Sequence, residues 1–414
     1  MKNYKKIKTL DLFAGCGGLT EGFEMTGNFE TVACVEWDKT SRDTLANRLK
    51  NKWGYKDAEE RVFRFDIQRT KELLHGWKND PCYGINSGLN TFIKKQNSSI
   101  DLIVGGPPCQ AYSIAGRIQD KNGMKNDYRN FLFETYVEIV NHFRPSAFIF
   151  ENVPGMLSAM PDGVPIIDRV RQSFAHIGYS IIDDIKKYAV VDASDYGVPQ
   201  NRKRLILFGI CNNSFKGDPQ DLLVRFYTEI LPQFKAGKKM TVSEAISDLP
   251  KFKVNPDKNE SKKCSHIPQS TDIPNHKPRQ HSKRDIGIFQ ELTRDATRKI
   301  RRYGTIEAIK KLYTQKTGKI SNIHKYYVLE ADKQSNTIVS HLYKDGLRHI
   351  HPDPVQARSI TVREAARLQS FPDDFEFLGS MGDQYKMVGN AVPPELAKVV
   401  ARSVVKYFDA YARK

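Results

Sequence analysis

The six cysteines (16, 34, 82, 109, 211 and 264) include no Cys-x-x-Cys pair, and no secretory pattern opens the chain. These absences argue against a disulfide framework or a structural zinc site and point to a reducing, cytoplasmic setting. No apolar run approaches the roughly 20 residues that a membrane helix needs, so no membrane partner is expected. No internal repeat is visible. Acidic residues are in deficit, 48 against 65 Lys and Arg, for a net charge of +17. Such a deficit points to a polyanionic partner. It is also uneven: from Asn255 to Lys325 there are 17 Lys and Arg against 7 Asp and Glu. Concentration in one segment favours a phosphate-backbone footprint over a generally solvated basic surface. What remains, 39% hydrophobic residues over 414 positions, suffices for a full core and two domains.

The chain is organised around Asp101 to Gln110, where the apolar run Leu102-Ile103-Val104 meets Gly105-Gly106-Pro107-Pro108 and then Cys109. A short apolar run bounded by turn residues reads as a buried parallel strand, and Gly-Gly-Pro-Pro ends it abruptly. Cys109 is then placed past the carboxyl end of a strand, where open α/β sheets keep their ligands. A cysteine there is either a buried structural thiol or a nucleophile.

Other segments repeat the pattern of strand, polar end and helix. Ile7 to Phe13 reads as a first strand, Ala14 to Leu19 as a glycine turn and Thr20 to Thr26 as a helix, a Rossmann-like unit. A second strand, Thr31 to Val35, delivers Glu36 and Trp37, and Asp38 caps a helix running to about Trp53. Arg61 to Ile67 reads as a third strand carrying Asp66. Residues 68–99 are polar and show no clean period, so a surface excursion is expected. The segment 110–126, beside Cys109, reads as a solvent loop or a lid. A helix over 127–143 leads to a strand from Ser146 that delivers Glu151, and Arg202 and Arg204 precede the apolar strand Leu205 to Ile210. Past Pro250 a polar, irregular texture takes over. Short helices are expected over 289–303 and 305–313, then over 359–371 and 395–408. His349-x-His351 lies in a polar loop and is expected to be solvated rather than metal-binding.

A glycine turn followed by a carboxylate at Glu36 suits a dinucleotide or S-adenosylmethionine. The turn, Gly15-x-Gly17-Gly18, lacks the third glycine of Gly-x-Gly-x-x-Gly, and no Walker lysine follows. S-adenosylmethionine, with no phosphate to cradle, tolerates that departure better. Cysteine, a glutamate able to hydrogen-bond a ring nitrogen, and arginine are the types needed to methylate carbon 5 of cytosine. A thiolate adding to carbon 6 makes carbon 5 nucleophilic, provided nitrogen 3 is engaged and the 2-oxo group meets a cation. A base inside a duplex must first be flipped out.

Six stretches, in order, resemble motifs of the cytosine-5 DNA methyltransferases. They are Asp11 to Gly18, Gly106 to Ser113, Glu151-Asn152-Val153, Gln200-x-Arg202-x-Arg204, Thr361 to Pro372 and Gly389 to Pro394. The resemblance covers roughly 7–210 and 358–408. It implies an α/β, Rossmann-like S-adenosylmethionine-dependent methyltransferase domain over 1–250 plus 350–414. It also implies a smaller, irregular target-recognition domain over 251–349. Cys109 would be the nucleophile, Glu151 the group at ring nitrogen 3, Arg204 the cation near the 2-oxo group and Arg202 a support for Arg204 or the lid. Phe13, Gly15, Gly18, Glu36, Trp37, Asp66, Ile67, Pro108, Leu132, Asn390 and Val392 would line the cofactor. The implied enzyme needs no metal and acts as a monomer on double-stranded DNA, paired in function with a restriction endonuclease of the bacterial restriction-modification type. Two alternatives compete. Transfer-RNA methyltransferases of the same fold carry Cys-Phe-Thr and a shorter recognition segment, whereas this chain has no Cys-Phe-Thr and a long basic insert. An inactive DNA-binding relative is disfavoured by the presence of Cys109, Glu151 and Arg204.

Overall fold

The computed structural model describes residues 6–108, 132–160, 163–256, 264–269, 272–298, 300–320, 326–344 and 346–412. The chain forms two compact units. The first comprises Met1–Tyr196, Lys203–Gly237 and Val392–Lys414, and the second Gly197–Arg202 and Lys238–Ala391. This division by packing puts residues 350–391 with the second unit, whereas the functional division expected from sequence groups them with the catalytic segments.

The first unit is built on a mixed sheet. Its strands are β1 (Ile7–Leu12), β2 (Phe29–Glu36), β3 (Val62–Arg64), β4 (Leu102–Gly105), β5 (Ala147–Asn152), β6 (Tyr179–Ile181), β7 (Val190–Asp192) and β8 (Lys203–Cys211). The order is β3-β2-β1-β4-β5-β8-β6, with β7 paired to β8. Strands β1 to β5 run parallel, and β8 is antiparallel to β5, β6 and β7. All four residues of β4 are buried, as expected of a parallel strand covered on both faces. Succession reverses between β1 and β4, so the crevice at their carboxyl ends is the topological switch point where such sheets bind ligands.

Helices α1 (Gly18–Glu24), α2 (Lys39–Asn51), α3 (Leu132–Phe143) and α4 (Ile166–His176) cover the sheet. Asp38 caps α2 as expected, its Oδ2 accepting from the Ser41 N–H at 2.9 Å. Helix α1 lies directly on the C-terminal helix Pro394–Tyr411. A Cβ on Gly22 would stand 2.4 Å from that of Ala397, so only glycine permits the approach. Across the sheet, Phe148 stacks on Phe174 at 4.0 Å, and the buried Tyr136 hydroxyl donates to Ile149 O at 2.9 Å.

Residues 68–99, expected as a surface excursion without a clean period, have regular structure of their own. They fold into a helix (Thr70–His75), a hairpin (Trp77–Asp80 with Gly84–Asn86) and a second helix (Gly88–Lys95). Leu73, Trp77, Leu89, Phe92 and Ile93 are buried. Each element is too short to establish a period, and Gly76, Gly84 and Gly88 at positive φ break the pattern between them.

In the second unit, α5 (Lys283–Ala296) and α6 (Ile306–Thr317) enclose a core of Ile286, Phe289, Leu292, Leu312 and Tyr326. The first of these helices starts and stops earlier than expected. The Asp295 carboxylate accepts from the backbone N–H groups of Arg302 and Tyr303, at 2.9 and 2.8 Å, and turns the chain out of the helix. Helix α7 (Val362–Leu368) begins at a capping box between Thr361 and Glu364. Helix α8 (Met381–Asn390), not expected from sequence, begins at a second one between Ser380 and Asp383. His349 and His351 are buried rather than solvated, and burial holds both pKa values down at about 4. Among the described residues no helix is long and apolar enough to cross a membrane.

Candidate active site

Turn residues that stop apolar strands deliver the candidate side chains to one edge of the first unit. At the end of β1 the chain swings through Phe13 (φ 59°) and Gly15 (φ 57°). Among the described residues nothing lies within 4 Å of where a Gly15 Cβ would be, which leaves an open ledge above the turn. At the end of β2, Glu36 Oε2 accepts from the Gly15 N–H and Oε1 from the Asp38 N–H, both at 2.8 Å. Burial raises the Glu36 pKa, while those two N–H donors oppose the rise. The neighbouring Trp37 indole is 58% exposed, a large apolar surface without a protein cover. Past β3, the half-buried Asp66 accepts from the Gln68 N–H at 3.1 Å, and Ile67 is buried. An open ledge, two carboxylates and an exposed indole at neighbouring strand ends are groups that could hold a molecule with hydroxyls, an amine and a flat ring. Gly18 at the head of α1, Leu132 at the head of α3, and Val392 are buried in the same unit, with Pro108 half-buried. Asn390 is exposed at the end of α8 in the second unit.

The acid and the arginine meet. Strand β8 pairs with β5 so that Ile206 faces Glu151. Arg204, two residues along, is therefore Glu151's diagonal neighbour on the same face. Its Nε lies 2.9 Å from Glu151 Oε1, with the two side chains only 11% and 13% exposed. Gly106 explains why the β4 exit is glycine: a Cβ there would stand 2.7 Å from Glu151 Oε2. Asn152, to which sequence reasoning gave no role, donates from Nδ2 to Pro107 O at 3.2 Å and ties the β4 exit to the β5 exit. Its only sequence signal is its place beside Glu151. Cys109 and the segment 110–126 lie outside the described residues.

Arg202 does something different from Arg204. It is 1% exposed in the second unit, and its guanidinium donates to the carbonyls of Ile338 (2.7 Å), Gly389 (3.1 Å) and Ala391 (3.0 Å). A further carboxylate escaped sequence reasoning. Asp11 in β1 is buried, accepts from the Thr20 hydroxyl at 2.6 Å and leaves Oδ1 without a partner among the described residues. Burial pushes its pKa up to about 7. No cluster of His, Cys, Asp and Glu among the described residues could hold a metal ion.

The chain matches the family described as C-5 cytosine-specific DNA methylase over residues 7–406. It is 34% identical to the type II methyltransferase M.Bpa9945I of Bacillus paralicheniformis, over 95% of this chain and 98% of that protein. Against the type II methyltransferase M.MthTI of Methanothermobacter thermautotrophicus it is 33% identical, over 95% and 96%. Its fold is similar to that of a solved protein described as a DNA modification methyltransferase from an Escherichia coli prophage. That likeness has a TM-score of 0.63 at 23% identity, covering 98% of this chain and 100% of the other.

Proposed function

Because the chain belongs to the C-5 cytosine-specific DNA methylases, we propose that it methylates its target cytosine through a covalent bond to Cys109. Members of this family are S-adenosylmethionine-dependent, and the chain is a DNA cytosine-5 methyltransferase of the type II restriction-modification kind. S-adenosylmethionine, when bound, supplies an electrophilic methyl group. Glu36 would hold its ribose and Asp66 its adenine amine, with Phe13, Gly15, Gly18, Trp37, Ile67, Pro108, Leu132, Asn390 and Val392 lining the rest.

The observation that carries the reading is the Glu151–Arg204 pair beside the exit of β4. Cytosine is too electron-poor at carbon 5 to react unaided. In this reading Glu151 engages ring nitrogen 3 and Arg204 faces the 2-oxo group, which lets the Cys109 thiolate add to carbon 6. Carbon 5 takes the methyl group, then loses its proton, and the C6–S bond breaks to return the thiolate. The cytosine reaches this pair flipped out of the duplex, with 110–126 closing over it. Arg202 is a positioning residue that holds the backbone at 389–391. Residues 251–349 would read the target sequence, and their basic excess would meet phosphates. The enzyme acts as a cytoplasmic monomer, and the methylated sites are those a partner endonuclease leaves uncut.

Transfer of labelled methyl groups from S-adenosylmethionine tests this. Duplex DNA should be labelled and transfer RNA not, and Cys109→Ala should abolish the signal. Labelling of transfer RNA alone, or full activity in the variant, would overturn it.

A further inference from the structure

Residues 68–99 have no part in the reading above, yet their hairpin is fastened to the strand end where the adenosyl group is proposed to sit. Past β3 the chain runs through Phe65 to Asp66. The Trp77 ring stacks on Phe65 at 3.9 Å with 21° between planes, and Tyr83 covers the same ring at 4.9 Å. The hairpin tip is pinned from several sides. Asp80 Oδ1 accepts from the backbone N–H groups of Cys82 and Tyr83, at 2.8 and 2.9 Å. Trp77 Nε1 donates to Tyr83 O at 3.1 Å. From β3 itself, Arg64 donates to Cys82 O at 3.2 Å, and its guanidinium lies 5.5 Å from the Tyr83 ring centre. Arg69 pairs with both Glu72 and Asp80 while lying 4.8 Å from the Phe65 ring. A loop that merely connects two helices through solvent needs none of these ties. Tyr83 is half-buried, and burial, then the Asp66 carboxylate, raises the pKa of its phenol. The ring therefore sits against Arg64 and Phe65, the two residues that precede Asp66 in the chain.

We infer that Tyr83 is a cofactor-binding residue, its ring forming with Asp66 the outer wall of the adenosine end of the S-adenosylmethionine site. The assignment rests on the cofactor reading of Glu36 and Asp66 and adds the element that closes it. A carboxylate takes the adenine amine by hydrogen bond, and an aromatic ring beside it offers the flat apolar surface that a purine covers. The hairpin is then the device that holds the ring in place, and Phe65 is its anchor.

Equilibrium binding of S-adenosylhomocysteine to the full-length chain tests the assignment. Tyr83→Ala should weaken binding roughly tenfold and Tyr83→Phe by no more than about twofold, with DNA affinity unchanged in both. Tyr83→Ala with wild-type affinity would overturn the inference. Should that variant fail to fold, the wild-type chain decides through the exposed thiol of Cys82. Its alkylation, followed on the 82-containing peptide by mass spectrometry, should slow severalfold with S-adenosylhomocysteine, and an unchanged rate would count against the wall. Absence of binding in the wild-type chain is a separate result: it would remove the cofactor reading itself.

Discussion

In the first unit strands pair with one another, so the backbone groups of its interior are met by a sheet. Among the described residues of the second unit the only named strands are Phe252–Val254 and His266–Pro268. Its buried carbonyls instead meet side chains. Among the described residues Arg202, Arg358 and Arg363 are the largest fully buried side chains, and all three lie in that unit. Arg363 donates to the carbonyls of Pro274 (3.0 Å), Pro372 (2.9 Å) and Phe375 (2.6 Å). Arg358 binds both Glu364 oxygens, at 2.6 and 2.5 Å. An irregular chain has no ladder, and buried polar backbone must be paired. The consequence is that the first unit displays its chemistry at strand ends, while much of the second unit's buried backbone is paired by guanidinium groups.

The greatest effect is expected at the strand ends. Glu151→Ala should cut kcat by roughly a hundred- to ten-thousandfold, with DNA and cofactor affinities retained. A variant within a few-fold of wild type would remove the acid from the site. Next comes the second unit's charge pair. Glu364→Ala leaves the Arg358 guanidinium buried without its partner, which should cost about 3–5 kcal/mol in denaturant unfolding. A loss below about 1 kcal/mol would mean that water or backbone replaces Glu364 and that the charges are not what holds this unit.

Protons should separate the units further. His349 and His351, at about 4, and His276, also lowered, are kept neutral by burial in the second unit. Unfolded, such histidines titrate near 6.5, so the unfolded state binds more protons between the two values. Their contribution is therefore complete above pH ~6.5 and lost as pH falls toward ~4, on the order of 2–3 kcal/mol for each of the two most shifted. Asp11 in the first unit has the opposite sign. Its folded pKa of about 7 exceeds the ordinary 3.8, so its contribution is complete below that lower value and is lost as pH rises toward 7. Hydrogen exchange from pH 7 to 4.5, corrected for intrinsic rates, should show protection falling first around 349–364. Uniform loss over both units would contradict the contrast. The smallest effect belongs to the surface pair Lys39–Asp43, where the lysine side chain is 68% exposed. Lys39→Ala should change stability by less than about 0.5 kcal/mol, and a larger loss would mean that this exposed pair holds more of the first unit's stability than its solvation allows.

The same contrast explains what could be read from sequence. In the first unit the signals were local. Gly15, Glu36, Asp66, Pro108 and Glu151 each stand where a turn or polar residue ends an apolar run, and the strands were found with them. The Glu151–Arg204 contact needed only the antiparallel register of two legible strands. In the second unit the partners are remote: Arg202 meets Ile338 across 136 positions, and Arg363 meets Pro274 across 89. No window of sequence contains both ends of such a contact. Helix α8 was missed because Gly382 and Gly389 dilute its period, although Ser380 and Asp383 spelled its cap. His349 and His351 looked solvated because their neighbours in sequence are polar, whereas their neighbours in space bury them.

The proposed chemistry turns on a transient bond between Cys109 and a target pyrimidine engaged by Glu151 and Arg204. Incubating the protein with S-adenosylmethionine and duplex DNA carrying 5-fluorocytosine at the methylated position tests it most directly, because fluorine cannot leave as a proton does. A denaturation-resistant protein–DNA adduct is expected, whose modified peptide contains Cys109 and which Cys109→Ala does not form. No adduct, or one that maps to another residue, would contradict it.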